Sequence, residues 1–362
     1  MAGRGKIQIF SGRSCKEYSN KVLQHLKEIN EYTQKFVDLA GETKVKQFSD
    51  GEMEVEILNS VRRKDVYIIQ NNSLRNEAGI PVHESKIELY HMIDALKRAR
   101  AETITVIEPY ISCARSDRAT GRGSVGLWIH FNTMINLGAS HIITLQLHSS
   151  KSTAIVDPNR CYIDNITVIP LIIKYILKNH IKTREYYETE VPKNWVVCSV
   201  DAGGESIARE VSTVLNCPLI IGYKKRNYQA VNTVDNVTIL TDQSLENKTV
   251  WIIDDMIDTG GSVYELVKAL KKYKVKKINL AVIHPILSGK GIERLKSLYD
   301  EGFLNMCVVC DTVSILENVK RELPFLNIVE TAPLLAKIIY KTNIGESLNE
   351  YFIPVNPYDY LQ

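Results

Sequence analysis

Apolar and polar positions along the chain follow two rhythms. Nearly unbroken apolar runs such as Val66-Tyr67-Ile68-Ile69 and Ile104-Thr105-Val106-Ile107 have the length and composition of strands buried on both faces. Between these two runs, Leu89, Met92, Ile93 and Leu96 fall at the i, i+3, i+4, i+7 spacing of an amphipathic helix. The three segments together make one βαβ unit. The alternation continues with a helix predicted over 125–137, a strand over 141–148, a helix over 169–177, a strand over 195–200 and a helix over 206–215. Pro218-Leu219-Ile220-Ile221 and Val250-Trp251-Ile252-Ile253 read as further strands. Such a sequence of elements predicts an α/β protein with two doubly wound parallel-sheet domains. The boundary is expected between the strand ending at His148 and the helix near Ile169, giving domains 1–160 and 161–362. The polar stretch 183–194, with Glu185, Glu188, Glu190 and Pro192, reads as an exposed insertion. Residues 354–362 carry two prolines and little periodicity, and disorder is expected there.

Composition narrows the partners. A chain of 362 residues can bury two ordinary cores, and its 44% apolar and 24% charged residues are those of a soluble globular protein. A net charge of +3 is too small to imply a nucleic-acid or membrane partner, so any anion affinity has to come from local groups. No apolar run reaches the length of about 18 residues that a membrane-spanning helix needs. Residues 1–8 lack the apolar core of a secretory signal. Seven scattered cysteines fit reduced thiols and a cytoplasmic setting. Cys307 and Cys310 form a Cys-x-x-Cys pair, but no second ligand pair stands at a zinc spacing, so both read as strand residues.

One loop carries chemistry. Val250-Trp251-Ile252-Ile253 runs into Asp254-Asp255-Met256-Ile257-Asp258-Thr259-Gly260-Gly261-Ser262, after which Val263, Leu266, Val267 and Leu270 return to helical spacing. The motif therefore stands where the carboxyl end of a strand turns into a helix, the usual ligand site of an open α/β sheet. Gly260 and Gly261 carry no side chains, so backbone N–H groups can surround an anion. Ser262 offers a hydroxyl that could cap a helix whose positive end favours phosphate. Asp254 and Asp255 would repel phosphate, yet they suit a vicinal diol such as ribose O2 and O3. A phosphoribosyl group answers both halves of the loop.

The segment 254–262 resembles the phosphoribosyl pyrophosphate loop shared by phosphoribosyltransferases and ribose-phosphate diphosphokinases. Other stretches are similar to the second family: Phe48-Ser49-Asp50-Gly51-Glu52, Val61-Arg62, Asp65-Val66-Tyr67-Ile68-Ile69-Gln70, Ala114-Arg115-Ser116-Asp117-Arg118, Leu147-His148, Asp201-Ala202-Gly203-Gly204 and Gly345-Glu346-Ser347. The likeness covers about 7–352. It implies phosphoribosyltransferase-like domains, the first binding nucleotide and the second ribose 5-phosphate, with the carboxy-terminal segment crossing back. It further implies transfer of the β,γ-diphosphate of ATP to the anomeric hydroxyl of ribose 5-phosphate, with AMP released and Mg2+ required. On this resemblance Lys224 and Arg226 clamp the moving diphosphate. Phe48, Asp50, Glu52, Arg115 and Asp117 bind ATP. Asp254, Asp255, Asp258, Thr259, Gly260, Gly261 and Ser262 bind the sugar phosphate. His148 and Asp201 serve the metal. The nucleotide segment is expected to meet the loop of another subunit, which implies a homo-oligomer built as a hexamer of dimers.

The pattern departs from the family at three places. Ser116 stands where glutamine is usual, Gln146 where aspartate is, and Trp128 where lysine is common. An extra residue near Tyr223 leaves the register of Lys224 against Lys225 open by one. Two alternatives remain at this stage. A non-catalytic regulatory subunit of the same fold would explain the departures, although such relatives lose the loop and basic segment kept here. A phosphoribosyltransferase would share the loop but not the Phe48 segment.

Overall fold

The apolar runs become the inner strands of two sheets in the computed structural model, which describes residues 4–29, 40–224 and 237–362. The chain divides into one unit of Met1–Thr167, Thr312–Ser314 and Thr331–Phe352, and a second of Val168–Asp311, Ile315–Glu330 and Ile353–Gln362.

In the first unit β1 (Lys6–Ser11) is followed by an antiparallel hairpin, β2 (Thr43–Gln47) and β3 (Met53–Ile57), and then by β4 (Lys64–Ile69), β5 (Thr103–Glu108), β6 (His141–Leu145) and β7 (Tyr162–Ile166). The parallel sheet has the order β1-β4-β5-β6-β7. Ala40 bridges Ile9 in parallel, while Ile9 also pairs with Tyr67, so the chain first winds outward from β1 and then reverses. Leu89, Met92, Ile93 and Leu96 on the helix Val82–Arg98 are fully buried against Val66, Ile68, Ile104 and Val106. That stripe was legible from spacing alone.

The second unit holds β8 (Trp195–Ser199), β9 (Leu219–Lys224), β10 (Val237–Leu240), β11 (Thr249–Ile257), β12 (Lys277–Pro285), β13 (Met306–Cys310) and β14 (Leu326–Val329). Their order is β10-β9-β8-β11-β12-β13-β14, parallel throughout except for the β9–β10 edge. The chain winds from β8 to β9 in one direction and from β11 to β14 in the other. The topological switch point therefore lies between β8 and β11, where ligands bind in open α/β sheets.

Several expectations need correction. β6 ends at Leu145 rather than His148. Gln146 takes φ +54°, which breaks the extended run, and its N–H donates to Ile166 O (2.9 Å). β11 does not stop before the acids but carries Asp254 and Asp255 as strand residues through to Ile257, because β12 pairs alongside as far as Pro285. β9 likewise extends to Lys224, beyond the predicted end at Ile221. The insertion 183–194 is not an open loop. It folds into short helices, Arg184–Thr189 and Val191–Asn194, with Tyr187 and Val191 buried. The Thr183 hydroxyl caps the first by accepting from Tyr186 N.

The segment 354–362 is packed against that insertion rather than disordered. Tyr358 Oη donates to Glu188 Oε1 (3.1 Å), Arg184 N donates to Gln362 O (3.0 Å), and Gln362 N donates to Lys182 O (2.9 Å). Lys174 and Lys178 place ammonium groups over the Tyr360 ring at 5.2 and 5.4 Å. Aromatic side chains, which periodicity does not register, hold this segment.

Among the described residues no helix is long and apolar enough to cross a membrane. Cys307 and Cys310 are buried in β13, three positions apart, and so point to opposite faces of the sheet. Burial pushes the Cys307 thiol up to about 12. The pair cannot share a metal ion.

Candidate functional site

At the switch point β8 delivers one turn and β11 another. Register places Ile253 opposite Ser199, so the residues that follow the two strands emerge side by side. Ser199 Oγ donates to Asp201 O (2.6 Å), and Asp201 Oδ1 accepts from Gly203 N (2.8 Å) and Gly204 N (3.1 Å). The carboxylate thus ties its own turn and holds an exposed position. A Cβ at Gly204 would stand 3.4 Å from Asp254 Oδ1, so the turn after β8 lies in contact distance of the acid on β11. The sequence separates Asp201 and Asp254 widely, and the sheet brings them together.

Asp255 is buried, and its N–H donates to Asp254 Oδ1 (3.0 Å). Desolvation, then the charge of Asp255, then that of Asp201, hold the Asp254 carboxyl well above the ordinary carboxylate range. Asp254 retains some exposed surface, yet the enclosing protein is dense enough for desolvation to dominate. The two carboxyls also meet: the charge of Asp255 and a side-chain hydrogen bond with it both raise Asp254, so the two acid groups stand close together. Asp254 is the one directed towards the Asp201 turn.

Beyond Ile257 the chain bends through Asp258 and Thr259 to Gly260, whose φ of +71° lies in the left-handed region. Gly260, not Ser262, is the N-cap of the helix Gly261–Lys271; Ser262 lies inside its first turn, exposed like Thr259. Val263, Leu266, Val267 and Leu270 are buried and pin the helix to the sheet. The unpaired N–H groups of this first turn are thereby fixed at the loop. Ser288 Oγ donates to the Asp258 carboxylate, and Arg294 Nη1 donates to Thr259 O (2.8 Å). Sequence reading missed both, because they follow β12 and no spacing rule links them to the loop.

The first unit holds the remaining candidates. Phe48, Asp50 and Glu52 form the exposed tip of the β2–β3 hairpin, closed by Phe48 N donating to Glu52 O (2.8 Å) and Gly51 N to Phe48 O (3.0 Å). Gly51 takes φ +93° there, and Glu52 N donates to Asp50 Oδ1 (3.2 Å). The Phe48 ring is 40% exposed with the Lys46 ammonium 4.3 Å from its centre, an aromatic face offered to solvent beside a cation. Arg115 is exposed on the loop after β5. Asp117 Oδ2 accepts from Ser152 Oγ (3.3 Å), which joins this loop to the turn that carries the exposed His148. Ser116 Oγ accepts from Gly126 N (2.9 Å), so the departure at 116 supports the start of the helix Gly126–Leu137. Gln146 accepts from Thr167 Oγ1 (3.0 Å), and Trp128 is half exposed. Lys224 ends β9, and Arg226 lies outside the described residues.

Among the described residues no group of three or more His, Cys, Asp or Glu side chains could hold a metal by itself. The residues nonetheless fit a magnesium ion that brings its own ligands. Asp201 commits one oxygen to two amides and keeps a second for a hard cation, and Mg2+ usually keeps waters and substrate phosphates as partners.

Comparison with known proteins gives the family. Residues 7–138 match the family model for the N-terminal domain of ribose phosphate pyrophosphokinase, and residues 163–317 match that for the phosphoribosyl transferase domain. Ribose-phosphate pyrophosphokinases of Corynebacterium ammoniagenes and Bacillus cereus are each 32% identical over 96% of this chain and 97% of their own. The crystal structure of phosphoribosylpyrophosphate synthetase from Mycobacterium smegmatis superposes with a TM-score of 0.76 at 26% identity, covering 93% of this chain and 98% of that one. With nearly its full length matched to these relatives, the chain belongs to the ribose-phosphate pyrophosphokinase family.

Proposed function

We propose that the chain is a working ribose-phosphate diphosphokinase, which moves the β,γ-diphosphate of ATP to ribose 5-phosphate and releases AMP. The observation that carries this reading is the intact switch-point site: the Gly260 left-handed turn, the helix amides behind it, and Asp254 and Asp201 at contact range of one turn. A regulatory subunit has no need of that arrangement. Named relatives that match over almost their whole length support the enzymatic reading as well.

In this reading the 5-phosphate rests on the amides of the loop and of the first helical turn, with Thr259 and Ser262 adding hydroxyl donors. Asp254 and Asp255 accept from the ribose hydroxyls, and the Asp255 N–H steadies the Asp254 carboxylate. The Asp258 carboxylate accepts from Ser288, which steadies it beside the sugar-phosphate loop. O1 of the sugar attacks the β-phosphorus. The bond from that phosphorus to the oxygen bridging the α-phosphate breaks, AMP leaves with the bridging oxygen, and the O1 proton is lost.

Phosphoryl transfer asks for in-line placement and for positive charge where negative charge spreads. Lys224 and Arg226 supply that charge. Phe48 stacks on the adenine, Asp50 and Glu52 accept from its amino group or its ribose, and Arg115 and Asp117 order the nucleotide phosphates and their surroundings. Asp201 would hold Mg2+, which would supply charge neutralisation to the diphosphate when bound, and the family resemblance gives His148 a part in serving the metal as well. The protein acts in the cytoplasm as a homo-oligomer, in which one subunit's hairpin serves another's loop.

The test is direct. Purified chain is incubated with ATP, ribose 5-phosphate and magnesium, and AMP and phosphoribosyl pyrophosphate are measured. AMP that forms only with the sugar present is the expected result; no product in the presence of both substrates would return the chain to a regulatory role. Arg226→Ala should cut turnover severely while ATP affinity stays near that of the wild type.

A further inference from the structure

The sugar-phosphate loop does not hold its own shape. Its backbone is set by the connection after β12. Leu287 N donates to Ile257 O (3.0 Å), and Ser288 Oγ donates to the Asp258 carboxylate. A Cβ at Gly291 would stand 2.5 Å from the Asp258 carbonyl oxygen, so the first turn of the helix Gly291–Asp300 is pressed against the loop. From the same helix Arg294 Nη1 donates to Thr259 O (2.8 Å) and stands 3.3 Å from where a Cβ on Gly261 would be.

We propose that Arg294 is the positioning residue of the phosphate loop: by holding the Thr259 carbonyl it orients the Thr259–Gly260 peptide, so that the Gly260 N–H and the amides after it face the 5-phosphate. The proposal rests on the reading of the loop given above. In a planar trans peptide the C=O and N–H point in opposite directions, so capture of the oxygen on the Arg294 side aims the N–H to the other. The restraint matters here because the peptide leads into a left-handed glycine. Glycine takes either sign of φ at little steric cost, and an unrestrained peptide could turn its carbonyl dipole toward the anion.

Charge points the same way. Asp254, Asp255 and Asp258 crowd a site that must accept a phosphate dianion. Among the described residues no carboxylate pairs with Arg294, so its cation is not spent elsewhere. A guanidinium can hold a carbonyl with one nitrogen and keep its other donors.

Arg294→Ala and Arg294→Lys in the full chain test the proposal. With both substrates varied, Arg294→Ala should raise KM for ribose 5-phosphate about tenfold while KM for ATP and kcat stay within about twofold. Arg294→Lys should recover most of that loss. An unchanged KM for the sugar phosphate would overturn the proposal. So would equal losses on both substrates together with a lowered melting temperature, the signature of a merely structural residue. Calorimetric titration with ribose 5-phosphate alone separates this failure from that of the enzymatic reading. Wild type that binds the sugar phosphate no better than Arg294→Ala sinks the positioning role and leaves the activity standing. Wild type with no affinity for it sinks both.

Discussion

Glu108 and His130 meet in the core of the first unit, Oε2 to Nε2 at 2.6 Å, each with no more than 1% of its side chain exposed. Asn72 Nδ2 donates to the other carboxylate oxygen (2.5 Å), and His130 Nδ1 hydrogen-bonds the Tyr90 hydroxyl (2.8 Å). The helix Gly126–Leu137 is thus tied to the end of β5 by a polar chain inside an apolar layer. Removing one partner strands the other. His130→Leu should cost about 3–5 kcal/mol, the penalty for breaking a buried polar pair. The double variant Glu108→Leu/His130→Leu should cost less than the two single losses added together. Urea unfolding of the four proteins measures the coupling, and strict additivity would show that the pair does not act as a unit.

The segment that closes the second unit has a comparable structural role. Leu361 is only 7% exposed, and the Tyr187 hydroxyl beneath this region donates to Val214 O (2.7 Å). The insertion helices have few apolar residues of their own, so the packed segment completes their cover. Leu361→Ala should destabilise the chain by about 2–3 kcal/mol, the cost of truncating a buried leucine. Tyr187→Phe, which loses one buried hydrogen bond, should cost about 1 kcal/mol. Denaturant midpoints check both. A midpoint for Leu361→Ala equal to that of wild type would mean that the segment is not held in solution.

Much of this architecture could be read from residue order, and the residues that could not be read have physical reasons. Val66-Tyr67-Ile68-Ile69 and the stripe from Leu89 to Leu96 were plain, because burial on a fixed period leaves a pattern in the chain. The segment 254–262 stands out because glycine and acid at fixed offsets have few other uses, and its strand–turn–helix setting is the one found. Asp254 and Asp255 look like the start of a loop, yet β12 alongside carries the strand through them. The apolar run predicts a strand that ends at His148, yet Gln146 in the left-handed region ends it first. Ser288 and Arg294 were invisible, since only tertiary folding brings them to Asp258 and Thr259. The packed 354–362 segment was misread because its cohesion comes from rings and cations, not from periodic apolar residues.

The exposed Phe48 ring gives a prediction about nucleotide rather than stability. It already faces solvent with the Lys46 ammonium over one face, so truncation removes little packing. Stacking of a base on an aromatic ring is worth about 1–3 kcal/mol, so Phe48→Ala should raise KM for ATP by about 5- to 100-fold. KM for ribose 5-phosphate and the melting temperature should hardly move. Phe48→Trp should keep ATP affinity, since any flat aromatic surface serves. Steady-state kinetics with each substrate varied decides the matter, and an unaltered KM for ATP in Phe48→Ala would remove the hairpin tip from the nucleotide site.

Asp254 sets stability against function in a way that pH exposes. Its carboxyl is held well above the ordinary range, first by desolvation and then by Asp255 and Asp201. The folded state therefore keeps a proton that the unfolded chain gives up at about pH 4. Between that pH and the raised folded value, folding binds more protons than unfolding, so the contribution of Asp254 to stability falls as pH rises. Asp254→Asn keeps the shape and hydrogen-bonding capacity of the side chain but cannot ionise. In the absence of ligand its melting temperature should exceed that of wild type at pH 8, and the gap should shrink at pH 5. The same variant should bind ribose 5-phosphate poorly, because an amide accepts from the sugar hydroxyls less strongly than a carboxylate does. Melting curves at the two pH values, paired with ribose 5-phosphate titration, test both halves. A gap that is constant with pH would mean that Asp254 titrates alike in the folded and unfolded chain, and the charge crowding inferred at the switch point would then be wrong.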